Sequence, residues 1–461
     1  MPEPSDDTRP EPRITRWIEA NVGGRVVALA RQPRWRPVWF ADVDRDGERL
    51  ELCVRGERVD IPGVWPLRHE MTAQALLEVG GIPVPKVYGW CDEPAAFVTD
   101  RVPGRADFAR STEAERDAVM DEYMGVLAAV HRLDVGPFVA AGIDHATGDA
   151  TPATVGLRRY EHVYRQQKRR PDPFLEFCLA WLARNPLDPK ERESVVLWDS
   201  GQFHHDGGRL VAVLDVELAH VGDPMMDLAG FRQRDSILHY GDMHRLYAEY
   251  EARGGVAVDL GAVQHHNFAF TLSNQLAFHA ALAAPAPGSD YMTNLQWCCE
   301  TNLFAVEALA EILGVELPAV ELPEGRGGVG IVAFVHLVGE LRSIEVPDEF
   351  ARYRLRTAFR LARHLQRVDE IGDACVAADL DDLHAVLGRR PDTAAEGDAA
   401  LEALVRADDG RLDEALVPLF HRRLWRAHQM LGPAGSAMTR HNPVQAFTGT
   451  GPTASARRLR G

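Results

Sequence analysis

Long apolar runs are missing from this chain. Nothing in its 461 residues approaches the ~20 consecutive apolar residues that span a bilayer. The opening MPEPSDDTRPEPR is polar and rich in proline, without the apolar centre of a secretory signal. A cytoplasmic protein with no membrane partner is expected. Basic charge is also short, with 51 Lys and Arg against 68 Asp and Glu and a formal net charge of −17. Nucleic acids are bound through clustered cations that release counterions, so that class of partner is excluded. Arg31, Arg34 and Arg36 remain as a local basic group suited to a small anion. Paired cysteines are absent too. Cys53, Cys91, Cys178, Cys298, Cys299 and Cys375 show no CxxC spacing, and the adjacent Cys298 and Cys299 have no second pair. Buried free thiols are expected, not zinc ligands or disulfides.

What the chain does have is a stretch from Leu197 to Leu228, LWDSGQFHHDGGRLVAVLDVELAHVGDPMMDL. Asp199 and Asp215 flank the strand-like LVAVL, and a hairpin between them brings both carboxylates to one end of a cleft. Two acids held that way suit a magnesium-nucleotide reaction.

Upstream, VVALARQ, VWFADVD and RLELCVRG read as three strands broken by the PRWRP loop and the turn-like DRDGE. A helix starts near Pro66 and runs through His69, Glu70, Ala73, Leu76 and Leu77. VPKVYGW and AAFVTDRVPG supply two more strands. From about Arg105 the pattern is helical, with Val119, Tyr123, Val126, Leu127, Val130 and Leu133 on one stripe. His131, near the end of that helix, is expected to cap or pack.

The block LDVELAHVGDPMMDLA resembles the metal-binding and following segment of the aminoglycoside phosphotransferase and choline kinase superfamily, distant relatives of protein kinases in which an HGDxxxxN motif comes first. The resemblance covers roughly residues 16–320. It implies an α+β, two-lobed protein-kinase-like fold, with a small antiparallel-sheet lobe and a large, mainly helical lobe. The expected division is a disordered tail at 1–15, a nucleotide-binding lobe at 16–104, a catalytic and substrate lobe at 105–325, a helical appendage at 326–448 and a second disordered tail at 449–461. The appendage, entered through the linker PAVELPEGRGGVG, shows stripes at Leu355, Phe359, Ala362, Leu365 and Val368, and at Leu412, Leu416, Leu419, Leu424 and Leu431. A homodimer through this helical region is an expectation.

The resemblance also assigns residues. Arg55 stands where a third-strand basic side chain meets the nucleotide's phosphates, and Glu70 is its ion-pair partner. Val98, Thr99 and Asp100 form the hinge for a purine. The loop between the first two strands has no glycine to admit phosphate to its backbone; Arg34 and Arg36 either reach phosphate with their side chains or pack on the surface. Asp199 is the base that takes the acceptor's hydroxyl proton, and Asp215 holds Mg2+. The second metal ligand depends on register. A five-residue step from Asp199 selects His204. The interval from Asp199 to Asp215 is sixteen instead of the family's about eighteen, and a two-residue deletion selects Gln202. A hard cation prefers the amide oxygen of Gln202 to an imidazole. Leu197 and Trp198 replace the motif's His and Gly. Asp223 and Asp227 are expected to cap and brace, and Asn267, Asn274, Gln275, His279, Asn294 and Gln296 to form a binding wall or core hydrogen-bond pairs. The expected function is transfer of a nucleotide γ-phosphate, from ATP, to a hydroxyl of a small molecule. The alternative is a catalytically impaired nucleotide-binding or scaffolding pseudokinase.

Overall fold

The computed structural model describes residues 9–447, without 59, 60, 62, 188–191 and 326. The expected tail at 449–461 lies outside the described residues. Packing gathers the chain into two compact units, one within 1–158 and 189–259, the other within 159–188 and 260–461. The sequence-based division follows chain order, whereas these units follow contact, so the chain leaves the first unit and returns to it.

The first unit begins with α1 (Pro10–Asn21), β1 (Arg25–Arg31), β2 (Val38–Arg45), β3 (Glu48–Gly56), α2 (Leu67–Val79), β4 (Val87–Cys91) and β5 (Ala96–Asp100). The five strands form one antiparallel sheet in the order β1-β2-β3-β5-β4, with the helix after the third strand as expected. Residues 10–15 are helix and not a disordered tail. Pro10 opens α1 at a position where no amide donor is needed. Ile14 and Ile18, one turn apart, bury against Trp39, Ala41, Val43, Leu52, Val54 and Val98. Between β2 and β3, Asp46 and Gly47 both have positive φ, 57° and 86°. That is the twist a two-residue hairpin requires.

Strand alternation gives the sheet two destinations. Leu52, Val54, Ala96 and Val98 point to the α1 core. Cys53, Arg55, Phe97 and Thr99, the intervening residues, line a cavity.

The first unit continues with α3 (Glu113–Val130), started by a capping box between Thr112 and Glu115, and α4 (Gly136–Ala140). After α5 (Val155–Gln167), which crosses the boundary, and α6 (Pro173–Arg184) of the second unit, come β6 (Ser194–Val196), β7 (Phe203–Asp206), β8 (Arg209–Val213), β9 (His220–Gly222), α7 (Met225–Leu238) and α8 (Met243–Ala252). β7 pairs with β8 around Gly207 and Gly208, and β6 pairs with β9 outside them. The nesting lays segment 197–202 beside segment 214–219, joined where the Leu214 amide donates to the Gln202 carbonyl at 2.9 Å.

The second unit is helical: α6, α9 (Leu260–Thr271), α10 (Ser273–Ala283), α11 (Tyr291–Leu313), α12 (Ile331–Ser343), α13 (Glu349–Leu387), α14 (Ala394–Ala407) and α15 (Asp413–Gln429). α11 packs against α9, α10 and α15, and Phe174 and Phe177 of α6 meet Phe420. Leu416, Leu419 and Leu431 are buried as expected, but Leu365 and Val368 are exposed, because α13 buries Ala362, Ile371 and Cys375 instead. Gln275 and His279 bond to Asp172, and Gln296 to Arg360, so these polar residues serve the unit's own packing. Among the described residues no helix is long and apolar enough to cross a membrane.

Candidate active site

Seven of the ten residues expected at the site share one cavity of about 450 Å³. Arg34, Arg55, Glu70, Thr99, Asp100, Gln202 and Asp215 line it, with Val38, Phe40, Phe97 and Leu214 forming an apolar portion. Cys53 is in its wall, a free thiol whose pKa burial raises.

The charged end is built by crossing elements. Arg55 on β3 donates to Glu70 on α2 at 2.9–3.0 Å and reaches Asp215, with Glu217 at 3.6 Å. Arg36 lies behind the cavity, donating to Glu70 at 3.3 Å and to Glu217. It therefore steadies the acids and does not line the space. Burial works against the Arg55 charge, but Asp215, Glu70 and Glu217 together raise its pKa. Burial likewise opposes ionisation of Asp215, yet Arg55, then Arg36 and Arg234, hold its carboxyl below the usual range. For Glu70 burial prevails over Arg55 and Arg36, and its pKa is raised. Arg34 differs: burial, then Arg55, lower its pKa, and among the described residues no carboxylate pairs with it. It is a cation in the lining of the cavity.

Val98, expected to offer its backbone to a purine with Thr99 and Asp100, does not itself line the cavity. It lies within β5, paired with Val54 and Gly89, and its side chain is in the α1 core. Alternation puts its side chain on the face opposite the cavity.

Asp199 sits on the rim. Gln202 Nε2 donates to its Oδ2 at 3.0 Å, which leaves the amide oxygen out of that bond. Gln202 lines the cavity beside Asp215. His204 instead places Nδ1 3.1 Å from the Pro103 carbonyl. Arg234 of α7 grips Asp199 with both prongs, Nε to Oδ1 at 2.9 Å and Nη2 to Oδ2 at 2.5 Å.

The loop before Asp199 is held without the motif's histidine. Asp227 accepts the amides of Leu197 and Trp198 and contacts His131 Nε2 at 3.0 Å, while Met225 donates to Asp223. Both acids brace and cap, as expected. Trp198 stands at the family's glycine position with φ 60°, the left-handed region that costs other residues about 1–2 kcal/mol. Its ring is almost fully buried, edge-on to Trp65 and His220, and that packing offsets the strain. Behind the loop, a Cβ added at Gly230 would stand 2.1 Å from the Trp198 carbonyl oxygen, so α7 and the loop touch backbone to backbone.

Sequence reading missed Glu217 and Arg234. Glu217 had a signal, an acid two residues after Asp215. It and Asp215 and Glu70 bring carboxylate oxygens within 4.8 Å of one another. Arg234, in the unremarkable helical FRQRD, had none. All the oxygen donors here are of the hard type that magnesium takes.

Comparison with known proteins agrees in part of the chain. Residues 66–252 match the model of the phosphotransferase enzyme family. Acyl-CoA dehydrogenase family member 11 of Rattus norvegicus is 28% identical over 182 residues, 37% of this chain and 23% of that protein. Family member 10 of Mus musculus is 25% identical over 186 residues, 37% of this chain and 17% of that protein. The chain thus spans less than a quarter of the length of these relatives. Among solved structures, macrolide 2'-phosphotransferase MphH from Brachybacterium faecium overlaps 59% of this chain and 93% of its own at 20% identity and a TM-score of 0.42. Choline kinase LicA from Streptococcus pneumoniae overlaps 65% and 98% at 15% identity and a TM-score of 0.44.

Proposed function

We propose that this protein, whose residues 66–252 match the model of the phosphotransferase enzyme family, transfers the γ-phosphate of ATP to a hydroxyl of a small molecule. The observation that carries the reading is the convergence of Arg55, Gln202 and Asp215, from three separate segments, on one cavity with an apolar end. In this reading Phe40, Phe97 and Leu214 enclose the purine, and the backbone after Thr99 and Asp100 recognises its edge. Arg55 and Arg34 hold the phosphates. Asp215 and the Gln202 amide oxygen would hold magnesium, with Glu217 beside them. Bound there, the ion would supply neutralisation of phosphate charge. Asp199 orients the acceptor hydroxyl and accepts its proton. Catalysis by such a site comes from positioning and electrostatics.

Calorimetric titration with ADP and ATP in the presence of magnesium, followed by an ADP-release screen across hydroxyl compounds, tests the reading. Nucleotide binding, acceptor-dependent ADP release and its loss in Asp199→Asn and Asp215→Asn are expected. A wild-type protein that binds no nucleotide would sink it.

One observation favours the second reading, a nucleotide-binding protein without transfer: both oxygens of Asp199 are held by Arg234. Nucleotide binding with no ADP release from any acceptor is its signature.

A further inference from the structure

Asp199 is more heavily engaged than a proton acceptor should be. Arg234 Nε holds Oδ1, Arg234 Nη2 holds Oδ2, and Gln202 Nε2 adds a second donor to Oδ2. A carboxylate neutralised by a planar, permanently charged fork is a poor base until the fork is drawn elsewhere. The same Arg234 lines the cavity together with Arg34, Arg55, Gln202 and Asp215, whereas Asp199 does not line it. Arg234 therefore belongs both to the cavity wall and, through its guanidinium, to the carboxylate beside it. Its base lies against the backbone of Gly201, where an added Cβ would meet Arg234 Cβ at 3.3 Å, and the Gly201 carbonyl accepts from Tyr240. A terminal phosphate offers more negative charge and the same two-oxygen geometry as the carboxylate.

We propose that Arg234 is a phosphate-binding residue that exchanges Asp199 for the terminal phosphate of the bound nucleotide, so that nucleotide binding itself releases the base. This rests on the nucleotide reading of the cavity. It couples two steps that would otherwise be independent: a triphosphate draws Arg234 inward, and Asp199 becomes available to the acceptor. A diphosphate, lacking the terminal group, leaves the Asp199 pair in place.

Calorimetry with magnesium and either ATP or ADP, on wild type, Arg234→Met, Asp199→Asn and the double variant, decides it. Arg234→Met should weaken ATP by about tenfold, the loss of a charge-assisted pair of hydrogen bonds, and leave ADP within about twofold. Asp199→Asn removes the competing partner and should tighten ATP, and the double variant should lose that tightening. Arg234→Lys, which keeps the charge without the fork, should recover part of the ATP affinity and guards against a misfolded Met variant. An unchanged ratio of ATP to ADP affinity in Arg234→Met, or equal tightening in the single and double Asp199 variants, overturns the proposal and leaves the nucleotide reading intact. Failure of wild type to bind ADP overturns both.

Discussion

Asp227 accepts the backbone amide of Leu197 at 2.9 and 3.0 Å, and by this contact a helix residue holds the loop that carries Asp199. The Trp198 amide and His131 complete the set around the same carboxylate, which is wholly buried. The loop's shape therefore depends on a residue thirty positions away and not on the missing histidine of its own motif.

Asp227→Ala would leave two amides and an imidazole without their acceptor in a buried place. Each such loss costs about 1–3 kcal/mol, so urea denaturation should show a stability loss of about 3 kcal/mol or more. A variant as stable as wild type would refute the bracing role.

Gly230→Ala tests the close approach of α7 to the loop. Within an ordinary helix this change stabilises by about 1 kcal/mol. Here the added methyl meets the Trp198 carbonyl at 2.1 Å. Destabilisation is expected instead, together with loss of any activity that needs Asp199. A rise in melting temperature would show that the helix can step back from the loop.

Gln202→Leu keeps the volume of the side chain and removes its amide oxygen. If Gln202 takes the place of the motif's asparagine, the variant should need more magnesium for ADP release and should lose about 10–100-fold in turnover, on the scale of a misplaced catalytic group. Metal dependence identical to wild type would return the choice to Asp215 and Glu217 alone.

His220 offers a stability test that needs no ligand. It is fully buried, Nδ1 contacts the Leu218 carbonyl at 2.9 Å, and burial lowers its pKa from 6.5 to about 4. A depressed folded pKa means that the unfolded chain binds the proton more readily. The contribution is therefore present above pH 6.5 and is lost as pH falls toward 4, on the order of 3 kcal/mol in all. His220→Phe should flatten that part of the pH–stability curve. A wild-type curve with the same slope as the variant's would contradict the assignment.

Much of the first unit was readable before folding. Periodicity located the five strands and the helix after the third, and the acids around LVAVL marked the hairpin that the nested β6–β9 and β7–β8 ribbons form. Arg55, Glu70 and Asp215 were legible because each has a recognisable neighbourhood. Which face Val98 turns to was not legible, because a period of two assigns alternate faces but does not say which is the core; α1, whose residues 10–15 were expected in a disordered tail, decided that. Arg234 was invisible because a helix exposes every side chain to some neighbour, and only packing chose Asp199.

The sequence by itself determined the elements and the chemical types available: strands from alternation, capping and bracing acids at Asp223 and Asp227, hard oxygen donors from Asp and Gln. Tertiary structure alone decided which charges meet. Ion pairs between residues 160 positions apart, such as Arg55 with Asp215, depend on strand pairing and helix packing, and neither local propensity nor spacing encodes them.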